Sequence, residues 1–187
     1  NLISFDIDKI VTDQIEELEV ITNIAPNDKH FTEIVLWNLH QCPTGRTIGK
    51  IKEHLTEIYR VFLREKLVSI SFKGEELNYE EPKLLTAPQF NDANQPTGMP
   101  KTWKKEIDFD LGGALKVKGF AALRDPGSTT HAGFSLFRRK RLIVGSGDEK
   151  YRPQFIFGHP NDYVYQRLFG ELHIEGFEVT HTKDGFR

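Results

Sequence analysis

The sequence predicts an α+β domain, a mainly antiparallel sheet with helices packed on one face. Two observations predict it. Short runs of β-branched and aromatic residues with period-two alternation recur along the chain, whereas one long stretch, residues 47–65, steps its apolar residues by three and four. The strand runs also follow one another through short turn signals over 103–144, the pattern of hairpins rather than of crossover units.

The opening residues carry Asp6, Asp8, Asp13, Glu16, Glu17 and Glu19 against Lys9 alone, so residues 1–17 read as an acidic, solvated segment or linker and residues 18–187 as the α+β domain. "LEVITNI" (18–24) and "TEIVLWNLH" (32–40) are β-rich and separated by "APNDKHF", whose Pro, Asn and Asp signal a turn; they predict an antiparallel pair. After the breaker "CPTG", Thr47 is placed to cap a helix over 47–65 whose apolar stripe is Ile48, Ile51, Leu55, Ile58 and Phe62, with Lys50, Lys52, Glu53, Glu57 and Arg64 on the solvated side. "LVSISFKG" (67–74) alternates and predicts the next strand.

From Glu75 to Pro100 no period is sustained and four prolines interrupt, which predicts an irregular surface connection. "WKKEIDFDL" and "ALKVKGFAAL", joined by Gly112 and Gly113, predict a hairpin with Ile107, Phe109 and Leu111 on one face. "FSLF" and "RLIV" predict a second hairpin with the basic residues Arg138, Arg139, Lys140 and Arg141 at and beside its tip. "GHPND" is a turn, and Leu168, Gly170, Leu172 and Ile174 alternate through a last strand.

The chain's 187 residues suit one large domain or one with appendages, and 38% apolar against 28% charged residues argue for a globular chain rather than a disordered one. A formal net charge of −2 gives no global attraction to polyanions, so any such contact must be local, and 138–141 is the one concentrated basic run. Cys42 is the single cysteine, which excludes an intrachain disulfide and a thiolate cluster and fits a reducing cytosol. No apolar run approaches the ~20 residues that span a bilayer, and the acidic start lacks the features of a signal peptide, so a cytoplasmic protein without a membrane partner is expected. The chain opens on Asn1 and stops just after "THTKDGF", as a fragment of a longer protein would.

Candidate chemistry is sparse. His173 and His181 do not have the spacing of a zinc helix, and no metal site is expected. Ser135 in "GFSLF" lacks the second glycine of a hydrolase nucleophile turn. Neither "GSGDEK" nor "PTGRT" has the glycine spacing, followed by Lys and Ser/Thr, of a phosphate-binding loop. What remains is the basic run 138–141 and the ending in which Lys183 sits among Thr180, His181, Thr182, Asp184 and Gly185.

"THTKDGF" (180–186) after "GELHIEGF" resembles the T-H-N-K-Q-D-F segment that follows a strand in MORC proteins. "GFSLFRRKRLI" (133–143) resembles their G-x-F-x-Y-x-x-N-R-L-I hairpin, which is similar to the F-V-N-G-R hairpin of MutL and gyrase B. "TEIVLWNL" (32–39) resembles the G-T-x-I-x-I-x-N-L strand with which those chains enter their second domain, and "IKEHLTEIYR" matches the following helix in character. Phe31 stands at that family's Gly, and Lys140 at its hairpin Asn.

Together these motifs cover most of 18–187 and resemble the transducer domain of GHKL ATPases, nearest to a prokaryotic MORC-like group. The resemblance implies a fold like that of a ribosomal small-subunit protein domain. It implies ATP and magnesium held by an N-terminal ATP-binding domain of the same chain, of which 1–17 would be the end, and none held by this fragment alone. By motif position Lys183 would reach the γ-phosphate, with His181 and Thr182 holding the loop. The fragment is then inactive alone, its partner is that ATP-binding domain, and a homodimer and DNA remain open as further partners. The alternatives are a nucleic-acid-binding module gripping phosphates through Arg138, Arg139, Lys140 and Arg141, and a domain that only mediates assembly.

Overall fold

The computed structural model describes every residue except Leu39, His40, Ala93, Asp148, Lys183, Asp184 and Arg187. The chain divides into two compact units, Asn1–Cys42 and Pro43–Arg187.

The first unit holds β1 (Leu2–Ile3), α1 (Ile7–Asp13) and β2 (Val20–Ile21), with β1 and β2 paired antiparallel. Asp6 caps α1, its carboxylate accepting a hydrogen bond from the Lys9 amide at 3.1 Å. Among its described residues none is buried. The antiparallel pair predicted over 18–24 and 32–40 does not form: only Val20 and Ile21 are in a strand, and they pair with Leu2 and Ile3. Residues 32–38 are exposed and carry no strand, while Leu39 and His40 lie outside the described residues. β-branched content expresses a fit to a pleated surface, and no such surface receives this segment.

The second unit opens with α2 (Arg46–Arg64), which the helical period predicts to within a residue at either end. Its N-cap is Gly45 and not Thr47, and no side chain caps it. The row that α2 buries is also not the apolar stripe. Glu57, Arg60 and Val61 are buried, whereas Ile48, Ile51, Leu55, Ile58 and Phe62 are half-buried. Beneath the helix Glu57 and Arg60 pair with Lys150 and Glu171, and Val61 packs on Phe137 and Leu142.

Next come β3 (Ser71–Phe72) and β4 (Glu75–Glu76), joined by Lys73 and Gly74, both at positive φ as a tight hairpin turn of the mirror-image type requires. Of the strand predicted over 67–74, only these two residues pair. The stretch after Glu75, predicted as irregular, contains a long hairpin of β5 (Thr86–Asp92) and β6 (Gln95–Thr102). It has no hydrophobic period because almost every residue in it is exposed on both faces. Pro96 and Pro100 are tolerated because a two-stranded ribbon leaves each strand a free edge.

The main sheet consists of β7 (Lys104–Asp110), β8 (Lys116–Leu123), β9 (Gly133–Arg138), β10 (Arg141–Val144) and β11 (Leu168–Glu175), in the order β10-β9-β11-β8-β7. Both predicted hairpins are present, β7 with β8 and β9 with β10. β11 inserts between them, antiparallel to β8 and parallel to β9, so the sheet is mostly antiparallel. Where β8 meets β11, Gly119 has φ +151, and a Cβ there would stand 1.9 Å from the Glu171 carbonyl oxygen; only glycine fits.

Two short helices, α3 (Gln154–Phe157) and α4 (Tyr163–Arg167), precede β11. Successive strand residues point to opposite faces, so Phe137 and the pair Phe134 and Leu136 lie on opposite sides of β9. Phe137 packs with Val61 of α2 and Leu142, while Phe134 and Leu136 pack with Phe157 of α3 and with Tyr165, Leu168 and Leu172. Helices therefore cover both faces of the sheet, not one as the sequence predicted. The architecture is α+β, and among the described residues no helix is long and apolar enough to cross a membrane.

Candidate functional site: the segment after β11 and the charged layer beneath α2

The segment that follows β11 returns on itself. The Thr180 amide donates to the Gly185 carbonyl at 2.9 Å, and Val179 and Phe186 form an isolated antiparallel bridge, so the two ends of the segment, Val179–Thr180 and Gly185–Phe186, are held together as a neck. Phe186 packs against the Phe134, Leu136 and Phe157 cluster, which fastens the far end of the loop to the core. His181 and Thr182 lie in the loop and are exposed, and the Thr180 and Thr182 hydroxyls are 3.5 Å apart. Lys183, the residue the motif singles out, lies outside the described residues.

The basic run forms the tip of the β9–β10 hairpin. Arg139 and Lys140 both adopt positive φ, 48° and 67°, and Arg138 stands opposite Arg141. Lys140 is bonded to Glu65 at the end of α2, and of the other three Arg139 and Arg141 are exposed and Arg138 half-buried. The tip therefore does not join the 180–185 loop in one described cluster; each is a separate feature.

Sequence reasoning missed the charged layer between α2 and the sheet. β11 turns Phe169, Glu171 and His173 toward α2. Glu171, 4% exposed, receives Arg64 through two nitrogens, Nη1 at 3.3 Å and Nη2 at 2.9 Å, and Arg60 Nε lies 2.9 Å from its Oε1. Burial alone would raise the Glu171 pKa, but Arg60 and Arg64 outweigh it and hold the carboxyl below its ordinary value. Burial lowers the pKa of His173, whose ring stacks on Phe137 at 5.1 Å.

A second pair lies one helical turn earlier. The Lys150 ammonium donates to both oxygens of Glu57 and to the Gly145 carbonyl, each at 2.8 Å, and the Gly147 amide donates to Glu57 at 2.6 Å. Burial lowers the Lys150 pKa against the opposing pull of Glu57. The signal available in the sequence was the row Glu53, Glu57, Arg60 and Arg64 at helical spacing, together with Glu171 at the second face of an alternating strand.

Glu53, Glu57 and His131 bring one ligand atom each to within 4.8 Å of one another. Both oxygens of Glu57 also accept hydrogen bonds from Lys150. Comparison with protein-family models, with curated proteins and with solved structures finds no match to this chain.

Proposed function

We propose that this chain is the transducer of a GHKL-type ATPase, with ATP and magnesium held by an ATP-binding domain and Lys183 meeting the γ-phosphate. Bound ATP supplies the phosphoryl group whose loss changes the charge at that point. The part of this chain is to position and to transmit. A lysine ammonium on a flexible stem neutralises charge on the terminal phosphate, and His181 and Thr182 shape the loop that presents it.

One observation carries the reading: the two ends of the segment, Val179–Thr180 and Gly185–Phe186, are held together as a neck, fastened by Phe186, and reached directly from the central strand β11. β11 is in turn bonded through Glu171 to Arg60 and Arg64 of α2. A loop ordered by a terminal phosphate and released on its loss would thus act on a strand and helix that move together.

The experiment is ATP turnover by the protein carrying its ATP-binding domain, with and without Lys183→Ala, and nucleotide binding measured alongside. The expected result is turnover reduced by a large factor, about 100-fold or more as for loss of one preorganised charge-stabilising group, with nucleotide still bound. Unchanged turnover would reject the assignment.

A further inference from the structure

Between α2 and the sheet lies a cleft of about 470 Å³, within the size range of small-molecule sites. The strap Asn78–Pro82 forms one wall, α2 another, and Arg124 with residues of β9 and β11 the floor. Arg60, 5% exposed, lines it in an unusual state. Its planar guanidinium is flanked by the rings of Tyr79 and Phe137, whose centroids are 5.4 and 4.7 Å from Cζ. Nε touches Glu171 but is not aligned to donate, and among the described residues no group accepts a hydrogen bond from this guanidinium.

Buried polar groups are nearly always hydrogen-bonded, and with Nε set against Glu171 the terminal nitrogens of Arg60 are the donors left for an acceptor from outside the chain. A second donor lines the same cleft. Arg124, half-buried, bonds through Nε to the Pro126 carbonyl, which leaves its terminal nitrogens without an acceptor among the described residues. Burial lowers the Arg124 pKa and raises that of Tyr79, so the groups around this space are partly withdrawn from water.

Most carboxylates of the cleft are already paired. Glu57 is neutralised by Lys150, Glu171 by Arg60 and Arg64, and Glu81 is bonded to Arg64. Glu53 and Glu80 remain against Arg124, but both are exposed and screened by water and salt, whereas Arg60 and Arg124 are partly withdrawn from it. We propose that this cleft binds a small molecule through one oxyanion, a carboxylate or a phosphate, held in the plane of the Arg60 guanidinium with Arg124 as second donor. Arginine is suited to the task because its planar fork matches the two oxygens of such a group. The site is independent of Lys183.

The test is calorimetric titration of the chain with inorganic phosphate and, separately, with acetate, at ionic strength fixed with sodium chloride. Saturable binding of at least one is expected, and the tighter of the two identifies the class of oxyanion. Arg60→Lys disturbs the buried layer, so the informative variant is Arg124→Gln, whose denaturation midpoint in chloride should match that of the parent. It should bind about tenfold or more weakly, the loss expected for a charge-assisted hydrogen bond. A double change at the hairpin tip, Arg139→Gln with Arg141→Gln, should leave binding unaltered. Absence of saturable binding by either anion overturns the proposal, as does binding that survives Arg124→Gln or that disappears with the tip arginines.

Discussion

Glu171 is the residue on which the charged layer turns, since its two oxygens serve Arg60 and Arg64 together. Removing one member of a buried ion network strands the others away from water, which costs about 3–5 kcal/mol. Glu171→Gln is therefore expected to destabilise the fold by that amount at neutral pH, measured by urea denaturation. Its folded-state pKa lies below the ordinary 4.5, so the stability it contributes is present above that value and is lost as pH falls through the folded pKa. The difference between parent and variant should accordingly shrink in acid; a difference independent of pH would show that Glu171 acts through packing alone. The spacing of the charged row was in the sequence, but its burial was not. Period-based reading assigns charged helix residues to solvent, and the partner of Arg64 stands 107 residues away in sequence.

At the scale of elements, legibility followed burial. α2 and the β9–β10 hairpin were readable from their periods, and the β7–β8 hairpin from the Gly112–Gly113 turn and the pattern of β8, since β7 itself is exposed at all but Ile107. The β5–β6 ribbon was not, because a strand exposed on both faces imprints no alternation on its sequence. The segment 32–38 erred in the other direction, strand-like in composition but with no strand to pair against. α3 escaped notice because four residues are too few to show a helical period, yet its Phe157 is 1% exposed and meets Phe134 edge to face at 5.1 Å. Phe157→Ala should cost about 3–5 kcal/mol, the range for emptying a buried aromatic site. A loss below about 1 kcal/mol in thermal or urea denaturation would mean that α3 is not part of the cooperative core.

At the scale of the whole molecule, the neck of Val179–Thr180 and Gly185–Phe186 and the cleft beneath α2 both adjoin one strand, because β11 ends toward that neck and carries Glu171 into the charged layer. The motif containing Lys183 could be read from sequence as a resemblance, whereas the cleft could not, since its walls come from segments around 53–60, 78–82, 124–135 and 169–171. The placement of β11 makes a prediction about stability in its turn. A strand flanked on both sides, by β8 over its full length and by β9 over Phe169–His173, opens only when the sheet itself opens. Amide hydrogen exchange should then be slowest in β11 and in the facing parts of β8 and β9, near the global unfolding limit. β5 and β6, exposed ribbon strands, should exchange much faster. Equal protection in the ribbon and in β11 would contradict a rigid central strand, and with it the mechanical link proposed between the loop and α2.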